Sequence, residues 1–185
     1  MGIRVIETDL SGVLLIETDY FRDERGFFIE SYHRRRYVEH GIDCEFVQDN
    51  HSRSAAGVLR GIHYQDTSAP MDKLVRCTAG AILDVAVDLR VSSPTFGRWV
   101  AVELSAENMR QLLVPVGFGH AFLTLSQFAE VQYRCSGYYT PSAEGNIRWD
   151  DPDLAIEWPV REPQLSNRDR HAPSLKDYLQ HPAFP

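Results

Sequence analysis

The chain has 185 residues, 43% of them apolar and 24% charged, which excludes a disordered polymer and suits a single domain over residues 1–185 with its own core. Its net charge of −7, with no basic tract, excludes a sequence-independent nucleic-acid binder, whose affinity would rest on neutralising phosphates. Near the start, the aliphatic run Val13-Leu14-Leu15-Ile16 is flanked by Asp9, Glu17 and Asp19. That fits neither a secretory leader nor a membrane helix, which needs about 20 apolar residues. Ser31 to His40 is predicted helical, with Gly41 as its C-cap. Short strand signals follow at Glu45–Gln48, Val58–Gln65 and Lys73–Thr78. Ala81–Arg90 alternates from Leu83 onward, the period of a half-buried strand. Further strands are predicted over Arg98–Leu104, Gln111–Val116, His120–Leu125 and Glu130–Cys135, with Ser105-Ala106-Glu107-Asn108 as a capped turn. Turn residues separate them at Ala56-Gly57, Ala79-Gly80, Ser92-Ser93-Pro94 and Pro115-Val116-Gly117.

Many short strands at this spacing predict an all-β sandwich or barrel. Beyond Pro152 the pattern thins, and four prolines lie between Pro159 and Pro182. This tail, about 152–185, is expected to wrap over the barrel with one short helix near Ser174–Gln180. The three cysteines, Cys44, Cys77 and Cys135, are odd in number, far apart and in no metal-like spacing, which predicts reduced thiols in a cytoplasmic protein.

Two segments carry the chemistry. Gly57-Val58-Leu59-Arg60-Gly61-Ile62-His63-Tyr64-Gln65, followed by Gly80, places five residues between Gly57 and a His-x-Gln triplet. Pro115-Val116-Gly117-Phe118-Gly119-His120 supplies Pro-x-Gly-x-x-His. Together they resemble the two motifs of the cupin superfamily, a double-stranded β-helix or jelly roll, with a few short peripheral helices expected here. Metal-binding cupins carry His-x-His and a Glu in the first motif. Here Gln65 takes the second His position and no Glu lies between Gln65 and Gly80. His63 and His120 alone are too few ligands for a first-row metal, which normally takes three or more, so a metal-free barrel with no cofactor is predicted.

A longer set of ordered segments narrows the resemblance: Asp23–Glu30, Phe46–Asn50, Val58–Gln65, Lys73–Arg76, Asp84–Arg90, Ser93–Gly97, Pro115–Phe122, Trp149–Pro152 and Trp158-Pro159. Over about residues 3–175 the chain resembles the dTDP-4-dehydrorhamnose 3,5-epimerase family. One small departure is Gly119-His120-Ala121, where the family more often has Ala-His-Gly. The resemblance implies a substrate, dTDP-4-dehydro-6-deoxy-glucose, whose C4 ketone acidifies the protons on C3 and C5. Inverting each carbon needs a base, an acid on the opposite face and a group to hold the enolate charge. By resemblance His63 is the base, and an ordinary imidazole pKa of ~6.5 suits that task. Asp169 orients it, Tyr133 is the acid and Lys73 stands beside the C4 oxygen. Read alone, His63 is equally a core histidine, Asp169 a solvated loop residue, Tyr133 a half-buried strand aromatic and Lys73 a strand-edge cation.

The resemblance also implies binding residues. Arg60 and Arg25 meet the diphosphate, Gln48 and Asn50 the nucleotide, and Tyr139 the thymine. Glu30, Glu144 and Arg168 fall at further binding positions. His120 is expected to face the cavity as a polar contact. Arg25 and Glu30 would reach a partner's site through an N-terminal strand (about 1–30), which implies a homodimer, with no nucleic acid and no membrane as partner. Three alternatives stay open: an epimerase of only C3 or only C5, a metal-dependent cupin, and a non-catalytic sugar-nucleotide module.

Overall fold

Strands that alternate apolar and polar residues can each bury one face. In the computed structural model, which describes residues 1–185, thirteen strands form two sheets and a separate hairpin. The six-stranded sheet runs in the order β1 (Ile3–Glu7), β2 (Leu14–Thr18), β10 (Gln111–Val114), β7 (Lys73–Ala79), β12 (Phe128–Cys135) and β5 (Gln48–Ala55). The five-stranded sheet is β13 (Glu144–Asn146), β6 (Leu59–Gln65), β11 (Phe118–Thr124), β8 (Ala81–Asp88) and β9 (Trp99–Ser105). The hairpin pairs β3 (Tyr20–Asp23) with β4 (Gly26–Ile29). Every pairing between strands is antiparallel, and the two sheets face each other as the jelly roll expected from the sequence.

Three apolar layers hold the sheets. Between them lie Val75, Cys77, Ile82, Ala86, Phe118, Phe122 and Val131, drawn from both sheets. Outside the five-stranded sheet, Ile62, Val85, Val87 and Ala121 meet Leu154, Leu175, Tyr178 and Phe184 of the C-terminal tail. Each such side chain contributes about 1.5–3 kcal/mol when fully buried, enough to bind the tail to the barrel. The Tyr178 hydroxyl adds a donated bond to the Leu89 carbonyl at 2.7 Å. Outside the six-stranded sheet, Tyr37 and Ile42 pack on Ile16, Leu74 and Leu113.

Helix α1 spans Arg34–Glu39, shorter than predicted because the Ser31 carbonyl is engaged by Tyr37 and Gln111 side chains and His33 is extended. It ends at Gly41, whose φ of +81° is the left-handed geometry of a glycine cap. Ser105–Asn108 is a turn closed by the Asn108 amide donating to Ser105 Oγ. In the tail, α2 (Asn167–Arg170) replaces a predicted loop, and α3 (Leu175–Tyr178) carries a Ser174–Asp177 capping box.

The largest departure is β5. A strand was expected over Glu45–Gln48, whereas the strand begins at Gln48 and runs to Ala55. Its sequence, QDNHSRSA, offers almost no apolar signal. Pairing along its whole length with β12, from Gln48↔Cys135 to Ala55↔Phe128, forms it instead. The Asp84–Arg90 and Ser93–Gly97 segments prove structural at their junction. Asp88 is wholly buried and accepts from Arg90, Ser93 and Thr95. Burial alone would raise its pKa, but these bonds outweigh it and hold the carboxyl at about 2.

Candidate active site

The alternation that fills the barrel with apolar side chains turns polar at one end. On the six-stranded sheet, Val75 and Val131 point into the core, so the positions two residues on, Lys73 and Tyr133, share that inward face near the mouth. Gln48, Asn50 and Cys135 belong to the same face. On the five-stranded sheet, Ile62 and Tyr64 pack outward, leaving His63 and Gln65 inward. Gly61 makes this possible. It has a φ of +127°, and a Cβ there would meet Ala121 Cβ at 2.4 Å, so only glycine lets β6 lie this close to β11.

Between the two faces is a cavity of about 250 Å³ lined by Gln48, Asn50, His63, Gln65, Lys73, Tyr133, Cys135, Tyr139 and Glu144, with Tyr64 and Met71. Seven residues expected in the site, His63, Tyr133, Lys73, Gln48, Asn50, Tyr139 and Glu144, thus meet in one place. His63 and Tyr133 come from opposite sheets and stand on facing walls.

His63 Nε2 donates to Asp169 Oδ1 at 2.5 Å, leaving Nδ1 as the ring's free lone pair. Asp169 is 3% exposed, and the first turn of α2 places it. Its Oδ2 accepts from Ser166 Oγ at 2.8 Å, while Ser166 Oγ caps the helix by accepting the Asp169 amide at 3.0 Å. Burial pushes the Asp169 carboxyl up, but the His63 bond and charge and the Ser166 hydroxyl more than offset it. The group stays ionised below its ordinary range.

Burial pushes the Tyr133 phenol up, with Cys135 and Glu144 adding to the rise and Arg60 and Asn50 opposing it, so it is a protonated donor at neutral pH. Lys73, paired in register with Cys135, makes no ion pair or hydrogen bond with the protein. Burial lowers its pKa, while Cys135, Glu144 and Asp84 act against that. An ammonium without a protein partner is available to a developing negative charge.

The other expected residues lie elsewhere. Arg168 is just outside the wall, paired with Glu144, which in turn accepts from the Tyr139 hydroxyl at 2.8 Å. Arg60 is exposed at the rim, donating to Ser54 Oγ at 3.0 Å, and is close enough to Tyr133 for its charge to be felt there. His120 departs from expectation. It is 7% exposed and off the cavity wall, one strand deeper than His63, with Nε2 on Asp84 Oδ1 at 2.7 Å. Antiparallel pairing puts the two histidines side by side, and beyond them β6 carries one extra residue, so that Arg60 falls opposite Phe122.

Arg25 and Glu30 do not reach this chain's cavity. Arg25 is in the exposed β3–β4 turn, bonded to Asp23, and Glu30 pairs with Arg36. Sequence reasoning missed Ser166, Asp84, Cys135 and the positive use of Gln65. Of these, Gln65 and Cys135 were accessible from the period of two, as the next inward positions after His63 and Tyr133.

No group of three or more His, Cys, Asp or Glu side chains is gathered as a metal site. Both inward histidines direct Nε2 to a carboxylate, and Gln65 spends its amide on backbone groups. This donor set does not fit a resident metal.

An oriented proton acceptor facing a protonated phenol across a jelly-roll cavity defines, in class, a barrel that moves protons on carbon. The family model for dTDP-4-dehydrorhamnose 3,5-epimerase matches residues 7–177. A curated relative of that name from Salmonella typhimurium is 52% identical over 177 residues, covering 95% of this chain and 97% of its own length. The chain belongs to the dTDP-4-dehydrorhamnose 3,5-epimerase family. Among solved structures, an epimerase from Legionella pneumophila in complex with dTDP-4-keto-L-rhamnose is 49% identical with a TM-score of 0.90, covering 94% of this chain and 93% of the other. A 3'-monoepimerase from Streptomyces bikiniensis in complex with dTDP-quinovose is 38% identical with a TM-score of 0.91, covering 96% and 91%.

Proposed function

We propose that this protein epimerises dTDP-4-dehydro-6-deoxy-glucose at C3 and C5 to dTDP-4-dehydro-L-rhamnose, without metal or cofactor. The observation that carries the reading is the pair His63 and Tyr133 on facing walls of one cavity, with the unpaired Lys73 ammonium on the Tyr133 side. His63 Nδ1 takes the carbon proton, and the bond's electrons move into the C4 carbonyl. Lys73 holds the resulting oxyanion, and Tyr133 gives its hydroxyl proton to the carbon from the other face. Reprotonation of the phenolate and deprotonation of the imidazolium by water reset the site for the second carbon. Asp169 keeps the His63 tautomer that this requires.

The test is incubation with the substrate in D2O containing excess EDTA. Deuterium is expected at both C3 and C5. Incorporation at one carbon only would make the protein a monoepimerase like its Streptomyces relative, and dependence on an added divalent ion would overturn the metal-free reading. Arg60 at the rim is assigned to the diphosphate. Arg60→Ala is expected to weaken dTDP binding about ten- to a hundredfold, the loss of a charge-assisted pair worth ~1.5–3 kcal/mol, with a shallower salt dependence than the wild type. Calorimetric titration at two ionic strengths checks this, and unchanged affinity would place the phosphates elsewhere.

The protein is further proposed to work as a homodimer. The β3–β4 hairpin pairs only with itself and exposes Phe21 (66%), Phe27 (54%) and Phe28 (67%), an apolar patch that needs a cover. A second copy would cover it and receive Arg25 and Glu30, which their own cavity does not use. Three free thiols and the absence of a helix long and apolar enough to cross a membrane are compatible with a cytoplasmic location, which is part of the proposal.

A further inference from the structure

Gln65 is the one cavity residue whose entire side-chain amide is bonded to loop backbone, at Ala69 in the β6–β7 connection and at Tyr138 and Thr140 after β12. Its Nε2 donates to the Ala69 carbonyl at 3.0 Å and the Tyr138 carbonyl at 3.4 Å, and its Oε1 accepts from the Thr140 amide at 2.8 Å. Between those two loop residues, the Tyr139 amide donates to Gln48 Oε1 at 3.2 Å. Three successive residues, Tyr138 to Thr140, are thus gripped by two glutamines that stand on opposite sheets. Packing does not hold this segment, since Tyr138 and Tyr139 are 70% and 52% exposed. Gln65 itself is 7% exposed, so its amide is removed from water and its bonds are correspondingly costly to break. A primary amide suits the task because it donates and accepts at once. A carboxylate would face two carbonyl oxygens with no proton to share, and a thioether would offer neither role.

We propose that Gln65 is a positioning residue for nucleotide recognition: it fixes the Tyr138–Thr140 segment across the barrel mouth so that the Tyr139 ring is held over the nucleotide end of the cavity. This rests on the reading of the cavity as a dTDP-sugar site and adds to it a residue whose amide is bonded to loop backbone and not offered to base or sugar. Because Gln65 acts through the loop, its loss falls on binding and not on the proton transfers between His63 and Tyr133.

The test compares the full-length wild type with Gln65→Met, which conserves bulk and removes every hydrogen bond. Hydrogen–deuterium exchange of peptides spanning 136–143 is expected to quicken while the barrel strands stay protected. KM for the sugar nucleotide and Kd for dTDP are expected to rise about tenfold, with kcat within about threefold of wild type. In a Tyr139→Ala background, Gln65→Met should add less than about twofold to the dTDP Kd, because the ring it positions is gone. Unchanged exchange in 136–143, unchanged KM and Kd, a loss confined to kcat, or fully additive losses with Tyr139→Ala would each overturn the proposal. Gln65→Asn, which keeps polarity but loses reach, takes the same measurements if the methionine variant fails to fold. Wild-type protein that binds no dTDP would remove the site reading itself, whereas wild-type binding with an indifferent Gln65→Met removes only the role of Gln65.

Discussion

In His63→Asn, deuterium incorporation from D2O is expected to fall about 10²–10⁴-fold at both C3 and C5, the usual cost of a lost general base. Both carbons flank the C4 ketone, and one base serving both is the economical use of the single imidazole that lines the cavity. His120 is no substitute, being off the wall and tied through Nε2 to Asp84. Asparagine can still donate to Asp169, so the buried carboxylate is not stranded and the fold should survive. Far-UV circular dichroism and dTDP affinity near wild type would establish that. Proton NMR of recovered substrate reads the exchange. Exchange persisting at either carbon near the wild-type rate would mean that a second base exists.

The residues of this site were unequally visible in the sequence, and the reasons are physical. His63, Lys73 and Tyr133 fall on segments that read as strands, but β7 buries Leu74 on one face and Val75 on the other and β6 carries an extra residue before His63, so resemblance and not periodicity gave their direction into the site. Gln48 and Asn50 belong to β5, a strand without an apolar face because one side lines the polar cavity and it lies at the sheet edge. Local pattern cannot find such a strand, since its pairing with β12 is the cause of its form. Asp169 is 106 residues from His63 and lies in a segment that reads as loop, and only family resemblance joined the two. Even so, the local chemistry of its placement, a serine cap on a four-residue helix, is a pattern that Ser166-Asn167-Arg168-Asp169 displays. His120 marks the opposite case. The motif was recognised, but spacing does not show that the ring lies off the wall with Nε2 on Asp84.

In Tyr133→Phe, proton removal and proton delivery should come apart. The ring packs against the barrel core, and phenylalanine keeps that contact, so what is lost is the hydroxyl proton on the wall opposite His63. His63 can still take the carbon proton, and Lys73 can still hold the enolate. With no acid on the far face, the nearest donor is the His63 imidazolium, which returns a proton to the side it came from. That proton exchanges with solvent while the enolate lives, so recovered substrate should carry deuterium with retained configuration. Epimer formation should meanwhile fall about 10²–10⁴-fold. The raised pKa that burial imposes on Tyr133 points the same way, because it keeps the wild-type phenol charged with its proton until an enolate is present to take it. The measurement is proton NMR of substrate and product from the same D2O incubation. Epimer forming at the wild-type rate would exclude Tyr133 as the acid. Loss of exchange along with inversion would mean that the hydroxyl is already needed when the first carbon–hydrogen bond breaks, so that the two half-reactions share one transition state and the enolate never stands free between the walls.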